Sequence, residues 1–387
     1  MNESLIDRVR ERLAAESVPL RPSIVAAAIR AESGGVLGDT EVLDHLRILE
    51  TELTGAGILE PLLGAEGTTD VLVSGPREVW VDDGGGLRRS DITFTDEAAV
   101  RRLAQRLAAA AGRRLDDAQP WVDAQLSAGV NGRPTVRLHA VLPPIAAGGT
   151  CLSLRVLRPA TQDLAALVAA GAIAPEANQL LHDIIAARLA FLVSGGTGAG
   201  KTTLLAAILG AVDDRERILC VEDAPELAPQ HPHLVRLVAR SANVEGVGEI
   251  TLRQLVRQAL RMRPDRIVVG EVRGAEVVDL LAALNTGHDG GAGTVHANSP
   301  AEVPARLEAL AVLGGLDRSA LHSQLAAAVQ VLVHVTRGAR GRRLTQIALL
   351  RGDGAGLVGV LPVWDVDRGR HDGIGVLQKL IAERCGR

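Results

Sequence analysis

The sequence is poor in lysine and in aromatic residues. Two of its 42 lysine and arginine residues are lysines, Lys201 and Lys379, and it has no tyrosine, two phenylalanines and three tryptophans. Because 47% of the residues are hydrophobic, the cores must be aliphatic, built from Leu, Val, Ile and Ala. The formal net charge of -4 leaves no basic excess to neutralise phosphates, so a nucleic-acid partner is not expected.

Cysteine is equally scarce. Cys151, Cys220 and Cys385 are far apart and odd in number, which fits neither a paired C-x-x-C zinc site nor a disulfide framework. Residues 1–17 are charged and amphipathic, unlike a signal peptide. The sequence has no run of about 18 apolar residues, the length that a membrane span needs. We therefore expect reduced thiols and a cytoplasmic protein that contacts a membrane through partners.

Composition and hydrophobic periodicity change several times along the chain and divide it into five segments. The predicted segments are a helical N-terminal segment (1–60), an α+β domain (61–158), a linker with a short helix (159–175), a domain of alternating strands and helices (176–350) and a C-terminal tail (351–387). In the α+β domain, strands are predicted at 69–75, 78–83, 91–94, 136–144 and 151–159, with a helix over 96–112.

In the domain over 176–350, predicted strands and helices alternate along the chain. Strands are predicted at 189–195, 215–223, 265–271 and 291–298, helices from Lys201, over 250–262 and over 274–285, and further strands at 330–337 and 343–350. This alternation predicts a mostly parallel sheet with helices on both faces.

A glycine-rich motif joins the first strand of that domain to its first helix. GGTGAGKT, residues 195–202, fits G-x-x-x-x-G-K-[ST] in the strand-to-helix context that the motif requires. Such loops turn backbone N–H groups towards phosphates, and the following helix adds the positive end of its dipole. The nucleotide-binding residues predicted from it are Gly195, Gly196, Thr197, Gly198, Ala199, Gly200, Lys201, Thr202 and Thr203. Lys201 is expected to reach the β- and γ-phosphates of ATP, and the Thr202 hydroxyl to bind Mg²⁺.

Acidic and histidine residues follow the later strands. One strand ends in Glu222 and Asp223 and another in Glu271, and parallel strands deliver such residues to the edge where the glycine-rich loop lies. Hydrolysis needs one carboxylate for Mg²⁺ or its waters and another to orient or deprotonate the attacking water. His288 and His296 flank the next strand and are expected to sense the γ-phosphate or orient Glu271.

Four of these stretches together resemble one family. Residues 193–203, 221–227, 260–274 and 285–300 resemble, in order, the Walker A motif, Asp box, Walker B motif and His box of secretion-type traffic ATPases. Those are the hexameric motors of type II and type IV secretion and of type IV pili. The amino-acid sequence of residues 242–266 and 52–63 is most similar to that of the Tad/Flp pilus branch, the CpaF-like ATPases. The similarity extends over roughly residues 40–350.

The resemblance implies roles for the matching residues. Lys201 and Thr202 would bind phosphate and Mg²⁺, Glu222 would help hold Mg²⁺ or its water, and Glu271 would be the catalytic carboxylate. His288 and His296 would form the His box.

The family also places basic residues of the N-terminal domain against the phosphates. Arg137 and Arg155 on adjacent predicted strands are the candidates here, with Arg236 and Arg240 next.

Two departures from the family pattern concern the N-terminal domain and zinc. Residues 122–125 read VDAQ, where the branch usually has an arginine as the last residue, and residues 127–140 are longer and altered. The four-cysteine zinc module of the pilus-extension and type II branches is missing, which favours the Tad or type IV secretion branch.

The resemblance thus implies a P-loop (RecA-like) α/β ATPase domain, an N-terminal α+β domain and a helical N-terminal segment. The protein would be a homohexamer that hydrolyses ATP and drives an inner-membrane platform protein, peripherally on the inner face of the cell membrane. Two alternatives stay open: an ATP-binding regulatory protein of cell division or septum localisation with slow turnover, and a DNA- or protein-translocating ATPase of type IV secretion.

Overall fold

The chain divides into two compact units, residues 1–158 and 159–387. A computed structural model describes residues 8–9, 12, 22–34, 38, 41–42, 55–126, 135–158, 160–243, 245–338, 341–354 and 356–386. Most of the predicted N-terminal helices, including 43–53, and much of the altered segment 127–140 lie outside the described residues.

The first unit is an antiparallel sheet with a helix packed on it. Its strands are β1 (Asp70–Ser74), β2 (Val79–Asp82), β3 (Leu87–Arg89), β4 (Trp121–Leu126), β5 (Thr135–Val141) and β6 (Cys151–Leu157). Among the described residues they pair in the order β3-β2-β1-β6-β5-β4. The helices are α1 (Pro22–Glu32), α2 (Glu60–Gly64) and α3 (Glu97–Ala110).

Helix α3 follows the sequence prediction closely. The side chain of Asp96 caps its first turn by accepting from the Ala99 N–H at 2.7 Å. Leu103 and Leu107, four residues apart, share its buried face against the sheet. The helix and the strands at 70–74, 79–82, 135–141 and 151–157 are confirmed.

One prediction for this unit was wrong, and one strand was not predicted. Residues 91–94 form no strand, because the Phe94 N–H donates to the carbonyl of Pro76 at 2.8 Å and the segment runs as a loop, while β3 lies just before it. Strand β4 was not predicted, although Val122, Ala124 and Leu126 occupy alternate positions and pack into the core.

The second unit contains the P-loop. Its strands are β7 (Phe191–Gly195), β8 (Ile218–Glu222), β9 (Leu234–Val238), β10 (Arg266–Val272), β11 (Ala292–His296), β12 (Val331–Gly338), β13 (Gly341–Gly352), β14 (Val358–Asp365) and β15 (Gly369–Arg370). Within the described part of the chain they form one sheet, in the order β15-β14-β13-β12-β7-β11-β10-β8-β9. The strands from β12 to β9 in that order are parallel, and the other three are antiparallel to their neighbours.

Helices cover both faces of this sheet. They are α4 (Leu164–Ala169), α5 (Pro175–Ala186), α6 (Lys201–Gly210), α7 (Leu252–Ala259), α8 (Glu276–Leu284), α9 (Val303–Leu313), α10 (Arg318–Ala328) and α11 (Ile374–Cys385). Strand β7 shows the arrangement: Phe191 and Val193 pack with α4, α5, α6 and α11, and Leu192 packs with α7 to α10. The predicted mostly parallel sheet with helices on both faces is confirmed.

The flanks of the predicted ATPase domain also contribute to this unit. Leu164, Leu167 and Ile173, in the segment read as a linker, are buried in its core. The segment read as a C-terminal tail adds β14, which pairs with β13, and α11. Among the helices that the structure describes, none combines the length and apolarity of a membrane span.

Candidate functional site

The P-loop connects the end of β7 to the start of α6. The chain passes close to β12 at Gly195, where an added Cβ would lie 2.4 Å from the carbonyl oxygen of Val335, so any side chain there would collide with the backbone. Gly200 precedes the helix with φ +95°, a conformation that L side chains rarely adopt. Thr202 and Thr203 follow in the first turn of α6 and are half-buried. The predicted strand–loop–helix arrangement is therefore present.

Lys201 is buried at the start of α6, with 8% of its surface exposed. Its Nζ donates to the carbonyl oxygens of Gly195 at 3.0 Å and Gly196 at 2.9 Å, so the side chain folds back over the loop. Burial lowers the pKa of this ammonium group, and the negative charge of Glu271 opposes part of that shift. A compact ammonium fits this backbone-lined space better than a planar guanidinium would.

The register of the parallel sheet brings His296 to the loop. His296 at the end of β11 pairs with Gly195 at the end of β7. Its imidazole Nδ1 and Nε2 lie 3.4 and 3.3 Å from Nζ of Lys201, and Nε2 lies 2.6 Å from Oε1 of Glu271. Burial, and then the charge of Lys201, lower the pKa of His296, against the effect of Glu271. A neutral imidazole in this position donates its Nε2–H to the carboxylate.

Glu271 lies at the end of β10 and is held on both of its oxygens. Opposite His296, its Oε2 lies 2.6 Å from Nη2 of Arg273, and the same Nη2 lies 3.0 Å from Oδ2 of Asp223. Arg273 thus ties the end of β10 to the end of β8. The Glu271 side chain is 26% exposed, so water has access to it. Arg273 was not among the predicted residues, although it lies in the Walker B-like segment two positions after Glu271, a spacing that puts both side chains on one face of a strand.

Glu222 points into the protein rather than to this cluster. It is 3% exposed, and its Oε1 accepts from the backbone N–H groups of Glu226 (3.1 Å) and Leu227 (2.8 Å). Its Oε2 is buried with no hydrogen-bond partner among the described residues. Burial raises the pKa of Glu222 to about 7. In this structure Glu222 therefore braces the turn after β8.

His288 lies at the ends of the parallel strands that are opposite to the P-loop. It precedes β11, whereas His296 ends that strand, and the whole strand separates them. The His288 Nδ1 lies 3.1 Å from the carbonyl oxygen of Ala283 in α8. We expected both histidines near the P-loop. His296 lies there and His288 does not, because the His-box segment includes the whole of β11 and the two residues stand at opposite ends of that strand.

The predicted arginines are engaged with other groups. In the first unit, Arg137 makes two hydrogen bonds to Asp123, at 2.7 and 3.2 Å, and Arg155 donates to Asp70 at 3.0 Å. Arg137 and Arg155 are register neighbours on β5 and β6.

Arg236 and Arg240 belong to the second unit, on and just after β9. That strand lies four positions from β7, roughly 19 Å at the usual strand spacing. They donate to backbone carbonyls, Arg236 to Leu227 at 3.3 Å and Arg240 to Gly248 at 2.9 Å. The structure therefore places them away from the P-loop of their own chain.

Known proteins are similar in sequence to most of this chain. The family model described as "Type II/IV secretion system protein" matches residues 52–347. A putative conjugal transfer protein of Mycobacterium tuberculosis is 75% identical over 351 residues, which cover 90% of this chain and 99% of that protein. The type IV secretion system protein PtlH of Bordetella pertussis is 30% identical over 328 residues, 76% of this chain and 94% of PtlH.

A solved structure shares the fold. The ATPase DotB of Legionella pneumophila matches with a TM-score of 0.53 and 20% identity, over 75% of this chain and 78% of DotB. The chain thus has a P-loop ATPase fold and belongs to the type II/IV secretion system protein family.

Proposed function

We propose that this chain is the ATP-hydrolysing subunit of a homohexameric motor that powers Tad/Flp-type pilus assembly or type II/IV secretion. The observation that carries the proposal is the convergence of Lys201, His296, Glu271 and Arg273 at the P-loop edge of one sheet. In this proposal Lys201 is the cation for the phosphates, and Glu271 beside it is the carboxylate that would orient water.

Each residue has a role in this proposal. Lys201 would exchange its contacts with the loop carbonyls for the β- and γ-phosphates of ATP. Glu271 would orient the attacking water, while Arg273 and His296 fix its two oxygens. As the family resemblance implies, Arg137 and Arg155 would exchange their aspartate partners for phosphate oxygens.

The donor chemistry also fits Mg²⁺. The described residues contain no group of three or more His, Cys, Asp or Glu side chains arranged to hold a metal ion. Mg²⁺ needs no such cage, because it usually takes one or two protein ligands and completes its shell with phosphates and water. The Thr202 hydroxyl is the oxygen donor we assign to it. Glu222, whose buried Oε2 has no partner among the described residues, would reach its waters only after leaving the turn that follows β8. When bound, Mg²⁺ would neutralise charge on the phosphates.

A motor of this class would work from the cytoplasm, peripherally on the inner face of the cell membrane, and act on an inner-membrane platform protein. Membership in the type II/IV secretion family supports the general class. A second candidate, translocation of DNA or protein in type IV secretion, is favoured by the names of the relatives from M. tuberculosis and B. pertussis.

Turnover of ATP by the purified full-length chain tests the proposal. Glu271→Gln should bind Mg²⁺-ATP and lose hydrolysis, and Lys201→Ala should lose binding. The matched control is Glu308→Gln: the Glu308 side chain is 27% exposed and likewise lies between an arginine and a histidine, Arg318 at 3.2 Å and His322 at 2.8 Å. It should keep normal turnover.

Normal turnover by Glu271→Gln would refute the role of that carboxylate. Stimulation of the wild-type ATPase by membranes that contain a platform protein, rather than by DNA, would favour pilus assembly or protein secretion, and the reverse result would favour DNA translocation. ATP binding with negligible turnover under both conditions would indicate a regulatory protein. Mass measurement by light scattering with ATP present tests the hexamer.

A further inference from the structure

The hairpin formed by β12 and β13 runs beside the P-loop strand. Strand β12 pairs with β7 up to Val335 opposite Gly195 and then continues beyond the point where β7 ends. Arg337 lies on this extension, and Arg342 is its register partner on β13. The sheet thus carries two arginines past the end of β7 to the level of the loop, although they are more than 130 residues further along the chain.

Both arginines lie against the loop. The Nε of Arg342 donates to the carbonyl oxygen of Gly198 at 3.0 Å. Its side-chain stem covers Gly200, since a Cβ on that glycine would lie 3.3 Å from Cδ of Arg342. The Nη1 of Arg337 lies 3.6 Å from the position of a Cβ on Gly198.

A loop that turns its N–H groups inward towards phosphates must turn carbonyl groups elsewhere, and those carbonyls need donors. Lys201 holds the carbonyls of Gly195 and Gly196 before a nucleotide binds. When Lys201 moves to the phosphates, the hydrogen bond from Arg342 to Gly198 can persist, because it comes from a different element of the sheet. It also brings a positive charge to the loop.

We infer that Arg342 is a positioning residue of the nucleotide site, which fixes the Gly198 peptide so that the P-loop is pre-organised for phosphate. This rests on the proposed function of the P-loop as an ATP site. The Arg342 contact is with the loop backbone, so the inference predicts an effect on every ligand that presents two linked phosphates, whatever base it carries.

Calorimetric titration of the full-length chain with Mg²⁺-ADP and with inorganic pyrophosphate tests this. For Arg342→Ala we expect Kd for both ligands to rise about tenfold. That factor corresponds to about 1.4 kcal/mol, close to the lower end of what a hydrogen bond from a charged group contributes. Arg342→Gln, which keeps an N–H donor without the charge, should fall between Arg342→Ala and wild type. In ATP turnover, Arg342→Ala should raise KM and leave kcat within about twofold of wild type.

Arg343→Ala is the matched control, because the neighbouring residue on β13 leaves the strand on the opposite face. It should leave Kd unchanged. Lys201→Ala separates the two hypotheses: if it also binds both ligands normally, the proposed nucleotide site fails. If Lys201→Ala loses binding while Arg342→Ala keeps wild-type Kd, only the role of Arg342 is overturned. A lower melting temperature of ligand-free Arg342→Ala with unchanged Kd would likewise overturn it and leave Arg342 a structural contact.

Discussion

The buried Arg266 permits a quantitative prediction about the stability of the P-loop unit. Its side chain, at the start of β10, is 1% exposed and donates to both carboxylate oxygens of Glu216 at 2.8 and 2.9 Å. It also donates to the carbonyls of Ile185 at 3.0 Å and Gly290 at 3.3 Å. Breaking a buried pair by removing one partner costs roughly 3–5 kcal/mol. Because Arg188 remains 3.1 Å from Glu216, we expect Arg266→Met to cost about 3 kcal/mol, the lower end.

The scarcity of tryptophan makes this measurable in one unit alone. Trp364 on β14 is the tryptophan of the second unit and is 2% exposed, whereas Trp80 and Trp121 belong to the first. With Trp80 and Trp121 replaced by phenylalanine, urea unfolding followed by tryptophan fluorescence at pH 7 reports the free energy of unfolding of the P-loop unit. The control is Arg215→Met, whose side chain is 90% exposed, and it should show no measurable change.

Two results would refute the reasoning. A loss below about 1 kcal/mol for Arg266→Met would mean that the pair contributes no more than an exposed one. The double variant Arg266→Met with Glu216→Met should recover most of the loss, because apolar residues of similar volume replace buried pairs at little cost. A double variant as unstable as the single one would assign the effect to the lost carbonyl contacts instead.

Three further predictions concern the site. Arg273→Ala should lower kcat about tenfold with KM for ATP nearly unchanged, since it frees one oxygen of Glu271; equal kcat in a steady-state assay would contradict this. Lys201→Arg should raise Kd for Mg²⁺-ADP by more than about tenfold in calorimetry, because the guanidinium does not fit the buried cradle, and near-normal binding would refute that. Glu222 has its folded pKa raised from 4.5 to about 7, so its stabilising effect is complete below pH 4.5 and is lost as the pH rises through 7. Relative to wild type, Glu222→Gln should therefore gain up to about 3 kcal/mol between pH 4.5 and 8 in the Trp364 assay, and parallel pH profiles would exclude this titration.

Much of the second unit could be predicted because its helices and strands have clear local sequence signals. The P-loop motif, the apolar strands and the alternation with helices fix a parallel sheet, and the parallel sheet brings Glu271 and the P-loop to one edge. Strand β9 was not predicted: its residues are half-buried or exposed, since it lies at the edge of the sheet, and they show no clear apolar pattern.

Contacts that depend on the sheet order could not be read from the sequence. The neighbour of β7 on one side is β12, so Arg342 reaches Gly198 across 144 positions of sequence. His288 shows the opposite case, where eight positions of sequence separate it from His296 but a strand carries the two to opposite edges. The partner of Glu271 was missed for a third reason: the residue type of Arg273 is common in this chain, and the sequence signal lay in its position, two residues after Glu271.

The two lysines differ in solvent exposure, and this difference should make their reaction with amine reagents selective. The side chain of Lys379, on α11, is 79% exposed, whereas Lys201 is buried under the loop. An amine-reactive dye would therefore acylate Lys379 first among the lysines and place a fluorophore on α11 without any engineered cysteine. If Lys201 contacts phosphate as proposed, bound nucleotide would slow its acylation further, and the peptide labelled at Lys379 would serve as the internal reference.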